Sequence, residues 1–143
     1  YEKLKANGAM PQSGNGAVMN AITSGSKGYG VLVDYMAIRE KAKGAPIEFV
    51  FPKEGVSIVT EPVAMLKNAK NPDGAKAFID FVLSDAGQRL VLKQGYLPAD
   101  ANLPAPEGFP ARESIKLMPY DPAKALADTD ANKKRFADLF GNR

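Results

Sequence analysis

The side chains with chemistry to offer lie at three places in this chain: Ser13-Gly14-Asn15-Gly16, Asp34-Tyr35 and Glu61. The first is a run of small residues leading into an apolar-spaced segment with Val18, Met19 and Ile22. Small residues let backbone N–H groups approach a ligand, and a helix that begins there carries partial positive charge at its N-terminus. Gly14 and Gly16, with Ser13 and Asn15 as side-chain hydrogen-bonding groups, therefore suit an anion. The same four residues also make an ordinary helix-start turn. Asp34 offers acceptor oxygens of the kind sugar hydroxyls need, or it caps the helix that follows it. Tyr35 can stack on a ligand or donate from its phenol, or it serves as an amphipathic core residue with the hydroxyl at the rim. Glu61, ahead of Pro62, is one more acceptor or a solvated charge at a strand end.

Composition narrows the chemistry. Neither Cys nor His occurs among the 143 residues, which removes thiol nucleophiles, imidazole bases, disulfides and nearly all zinc-site designs. A metal site would have to be built from oxygen ligands, and no resident cofactor is expected. Hydrolysis by a carboxylate pair would need two acids flanking a cleft, and Asp34 with Glu61 is the only pair to nominate. The expectation is therefore a binding protein rather than an enzyme. The net charge of +3 is spread along the chain without a Lys/Arg cluster interleaved with aromatics, which argues against nucleic acid as a partner. Lys41, Lys43 and Lys53 read as a solvated face. Gly28-Tyr29-Gly30 precedes a strand rather than joining a strand to a helix, so it is no nucleotide loop.

These groups need elements to position them. Tyr1 to Lys5 reads as the tail of a helix stopped at Ala6-Asn7-Gly8, so the chain is expected to be a fragment, with an N-terminal part and any export signal outside it. A short helix over Val18, Met19 and Ile22 ends at Ser24-Gly25. Tyr29 to Val33 reads as a strand buried on both faces, with Asp34-Tyr35 at its carboxyl end, where ligands gather in α/β sheets. A helix from Met36 to Lys43 stops at Gly44, and a strand from Ile47 to Phe51 closes at Pro52. Val56 to Thr60 and Pro62 to Leu66 are two further strand candidates. Asn71 caps a helix with Pro72 in its first turn and Ala75, Phe78, Ile79 and Val82 on its buried face. Ser84-Asp85 starts another, which runs to Gln94 and Gly95. Residues 97 to 111 carry Pro98, Pro104, Pro106 and Pro110, the mark of an extended surface connector. A last helix spans Asp130 to Phe140, docked by Phe136, Leu139 and Phe140.

The ordered series Ser24-Gly25-Ser26-Lys27-Gly28-Tyr29-Gly30-Val31, Lys41 to Gly55, Lys67 to Phe81, Ser84-Asp85-Ala86-Gly87-Gln88 and Gly95-Tyr96-Leu97-Pro98 resembles the ferric-iron-type solute-binding proteins of bacterial ABC importers. The resemblance runs from Tyr1 to Pro98 and more loosely to Phe140. It implies an α/β fold, the C-terminal part of a two-lobed type 2 periplasmic-binding-protein fold with mixed sheets flanked by helices. Residues 1–54 would belong to the second lobe, 55–61 to a hinge crossover, and 62–143 to the first lobe with its C-terminal helices. It also implies a periplasmic or extracellular location, lipid-anchored in some cases, and capture of a small-molecule or ion ligand for an ABC permease in the membrane. Sheet edges left open by a missing N-terminal portion would favour dimerisation or association with that portion.

Ferric-iron members of that family bind the metal through an adjacent Tyr-Tyr pair, where this sequence has Tyr35-Met36. A hard trivalent ion needs several anionic oxygens and Met supplies a thioether, so ferric ion held by Tyr35 and Asp34 is the alternative expectation. The first is a small organic anion, a sugar phosphate or phosphonate, held by Ser13, Gly14, Asn15 and Gly16 together with Asp34, Tyr35 and Glu61.

Overall fold

A computed structural model describes residues 1–141, which form two compact units: Tyr1–Leu32 with the stretch from Pro119 onward, and Val33–Met118. In the first unit, α1 (Glu2–Ala6), α2 (Asn15–Thr23), α6 (Pro122–Ala127) and α7 (Thr129–Phe140) are the helices. Helix α1 is held to α7 by aromatic and charged groups together. The Tyr1 ring meets Phe136 edge-on at 5.5 Å, and Phe136 meets Phe140 at 4.8 Å. Arg135 donates to Glu2 at 2.7 Å and Lys5 to the Leu139 carbonyl; the Arg135 guanidinium keeps the Glu2 carboxyl below its ordinary value. Helix α2 buries Met19.

The second unit holds α3 (Asp34–Ala42), α4 (Pro72–Leu83), α5 (Asp85–Lys93) and a single 3₁₀ turn, Arg112–Ser114. Helices α4 and α5 begin as their sequences dictate. The Asn71 side chain accepts from the Gly74 N–H at 2.9 Å and Ser84 from the Gly87 N–H at 3.2 Å, each satisfying a donor that has no partner within its helix. The junction between α4 and α5 is tight: a Cβ on Gly87 would stand 2.2 Å from the Phe81 carbonyl oxygen, so only glycine fits. Helices α3 and α5 both close through glycines with positive φ, Gly44 at 95° and Gly95 at 81°.

The proline-bearing connector lies largely at the surface, as expected, but it is anchored at three points. Pro98 is fully buried, and Leu103 and Pro106 are buried with it. Such burial requires that its backbone polar groups be satisfied, and two side chains do this. Gln88, 4% exposed, accepts the Ala99 and Asp100 N–H groups at 2.8 and 3.2 Å and donates to the Val82 carbonyl at 2.9 Å. Arg112 donates to the Pro98 carbonyl at 2.9 Å.

Among the described residues the expected mixed sheet is not seen. Among the described residues the β-structure is one isolated parallel bridge, Val56 to Leu117. The segment expected to be a strand buried on both faces leaves Tyr29 97% and Val31 86% exposed. A strand of that kind needs a neighbour on each side, and among the described residues no segment pairs with it. The same holds for 47–51 and 62–66, while Val56 alone of 56–60 finds a partner. Two smaller corrections concern helices. α3 starts two residues earlier than Met36, and α6 was not anticipated, although Asp121-Pro122 carries the cap-and-proline signal: Asp121 accepts from the Lys124 N–H at 3.0 Å.

Candidate functional site

Helix α3 and the end of α5 bring together groups that lie far apart in the sequence. Helix α5 ends in paired bonds, Gly95 N–H to the Leu92 carbonyl at 2.9 Å and Tyr96 N–H to the Val91 carbonyl at 3.3 Å. This helix-ending motif fixes the direction in which the chain leaves the helix and so fixes Tyr96. The Tyr96 ring lies against Tyr35 of α3 with centroids 4.3 Å apart and planes inclined at 39°. One turn further along α3, the Arg39 guanidinium sits over the Tyr35 ring, 4.8 Å from its centroid, and donates to the Gln94 carbonyl at 3.2 Å.

The electrostatics centre on the Tyr96 phenol. Its pKa is raised above the ordinary value by the Tyr35 hydroxyl within hydrogen-bond range of it, by burial and by the Glu61 carboxylate, with Arg39 acting weakly the other way. A phenol that resists ionisation stays a neutral hydrogen-bonding group through the physiological range.

The residues nominated from sequence are distributed as follows. Tyr35 is half-buried in the first turn of α3 and belongs to the ring cluster. Asp34 is half-buried beside it, within α3 rather than ahead of it; Val33 is the cap residue, and Asp34 Oδ1 accepts the N–H of Tyr35 at 2.7 Å. Glu61 is exposed, and its charge reaches Tyr96. Ser13, Gly14, Asn15 and Gly16 are exposed in the other unit at the start of α2, whose N-terminus receives no side-chain cap. Tyr96, Arg39 and Gln94 were not nominated. The signal for Tyr96 was the Gly95 helix stop just before it, which places the next residue at a fixed angle to the helix. A separate hollow of about 420 Å³, lined in part by Leu103, Pro104 and Arg112, contains none of the nominated residues.

As chemistry, the Tyr35–Tyr96 cluster offers aromatic faces, two phenols and nearby carboxylates, with one guanidinium in place. Aromatic faces and carboxylates attract organic cations, whereas a guanidinium attracts carboxylates and phosphates.

Comparison with known proteins supplies the family context. Residues 1–126 match the family model described as bacterial extracellular solute-binding protein. An uncharacterized protein of Haemophilus influenzae is 41% identical over 98 residues, covering 66% of this chain and 28% of its own length. Spermidine/putrescine-binding periplasmic protein 1 of the same organism is 32% identical over 122 residues, covering 85% of this chain and 31% of its own. The spermidine/putrescine-binding periplasmic protein of Escherichia coli is 33% identical over 96 residues, 66% of this chain and 27% of its own. The chain thus spans less than a third of the length of these curated relatives. No solved structure matches it.

Proposed function

We propose, for a chain that belongs to the bacterial extracellular solute-binding protein family, that it forms part of the periplasmic solute receptor of an ABC importer and that the solute is an organic polycation of the polyamine class. The carrying observation is the Tyr35–Tyr96 ring pair, 4.3 Å between centroids, beside the carboxylates of Asp34 and Glu61. Alkylammonium groups bind aromatic faces through the ring quadrupole and carboxylates through charge-assisted hydrogen bonds. The methylene chain between the ammonium groups packs on the rings. The named relatives that bind spermidine and putrescine support the same choice.

The lobe assignment, 1–54 and 62–143 with 55–61 crossing between them, would put Tyr35 and Tyr96 in opposite lobes of the whole receptor, whereas here both lie in one compact unit with their rings in contact. In a two-lobed receptor, a solute that contacts both lobes selects the closed form, and closure presents the surface an ABC permease reads. Ferric ion suits the cluster poorly, because Tyr96 is held toward its protonated form and a hard trivalent ion needs ionised oxygens. An organic phosphate retains two observations in its favour, the Arg39 guanidinium at the cluster and the uncapped start of α2.

The test is calorimetric titration of the full-length, metal-free protein with spermidine, putrescine, glucose 6-phosphate and ferric citrate. Saturable binding of the polyamines, weakened about tenfold by Tyr35→Ala, a loss of about 1.4 kcal/mol, is the expected result. Saturation with glucose 6-phosphate alone replaces the polyamine with the anion, and saturation with ferric citrate alone restores iron.

A further inference from the structure

Arg39, like Lys5 at the Phe140 ring, is a cation held by an aromatic face and a backbone carbonyl rather than by a carboxylate. Lys41, Lys43, Arg89, Lys124, Lys134 and Arg135 each pair with a carboxylate, whereas among the described residues Arg39 makes no ion pair. Its charge is held instead by the Tyr35 ring at 4.8 Å and the Gln94 carbonyl at 3.2 Å. Gln94 is the C-terminal cap residue of α5, where unpaired carbonyls gather partial negative charge that favours a cation. Two weak attractions therefore place a positive group on an aromatic face of the site, and the residue remains exposed to solvent.

We propose that Arg39 is a resident cation of the tyrosine pair, a specificity-determining residue that competes with the solute's ammonium group for the Tyr35 ring. The inference rests on the polyamine reading and deepens it. An incoming ammonium group meets a ring face already in use and a like charge beside it, so capture requires Arg39 to swing away from Tyr35. Exposure and the absence of a carboxylate partner make that swing inexpensive. The arrangement leaves the Tyr35 ring covered by a cation whether the site is empty or filled, and it keeps affinity below what the rings and carboxylates alone would give. For an anionic solute the same guanidinium would have the opposite effect and attract it.

The sign of the effect separates this role from a structural one. Spermidine and glucose 6-phosphate are titrated separately into the full-length protein, into Arg39→Gln and Arg39→Met, which remove the charge, and into Arg39→Lys, which keeps it. The expected result is spermidine binding tightened about threefold to tenfold in both uncharged variants, as loss of an exposed cation–π competitor and of like-charge repulsion requires. The gain shrinks at high salt, any residual glucose 6-phosphate binding weakens, and Arg39→Lys stays within about twofold of the parent. Two uncharged variants of different shape keep the test interpretable if one folds poorly. Unchanged or weaker spermidine binding in both, with the parent binding normally, overturns the competitor role and leaves the polyamine reading standing. A parent protein that does not bind spermidine overturns both.

Discussion

Residues 45–66 and 71–112 belong to the same compact unit, yet they find partners for their backbone groups in different ways. The second stretch is self-sufficient. Helices α4 and α5 close their own hydrogen bonds, Asn71 and Ser84 satisfy their first turns, and Gln88 and Arg112 satisfy the connector that follows. The first stretch depends on partners it does not have among the described residues. Apart from the Val56 bridge it forms no ladder, and Val50, Val59 and Leu66 remain more than two-thirds exposed. Helical order is written locally, because each residue bonds to another four positions away. Strand order depends on a neighbour that can lie anywhere in the chain.

The sharpest way to break this contrast is at Gln88. Replacing it with Leu in the 143-residue chain leaves the Ala99 and Asp100 N–H groups and the Val82 carbonyl without their partner, at a cost of about 3 kcal/mol. Thermal melting should show a large drop, and hydrogen exchange should show residues 97–103 losing protection. An unchanged melt would mean that the connector is held by something other than Gln88. A smaller effect is expected from Asn71→Ala, about 1 kcal/mol, the usual cost of losing a helix cap; chemical denaturation measures it. The smallest comes from the other stretch. Val59→Lys, at a side chain 72% exposed, should stay within about 0.5 kcal/mol of the parent. A cost well above that would show that the segment is covered by a partner in solution.

What could be read from the sequence follows the same division. The helix starts at Asn71 and Ser84 and the stops at Gly25, Gly44 and Gly95 were legible, because each depends on one residue and its near neighbours. The strand segments were legible as apolar β-rich runs, but their burial was not, since burial belongs to the partner. At the candidate site, Asp34, Tyr35 and Glu61 stood out by chemical type. Tyr96 and Arg39 did not, because an aromatic after a helix stop and an arginine on a helix surface are common, and only the meeting of α3 with the end of α5 gives them meaning. The Ser13–Gly16 loop shows the limit from the other side. Its composition suits an anion, and Gly14 adopts an extended backbone, φ 162°, that any residue can take, so nothing local demands a ligand.

The burial of Pro98 bears on how this chain would meet a protease. Cleavage requires a stretch of backbone to detach and lie extended in the enzyme's cleft. The start of the connector resists this: the Pro98 carbonyl and the Ala99 and Asp100 amides are occupied by Arg112 and Gln88, and a proline with no N–H to leave unsatisfied sits at its deepest point. To a protease the stretch from Pro98 to Asp100 is part of the folded body, whereas the apolar segment between Pro52 and Asn71 is exposed along most of its length.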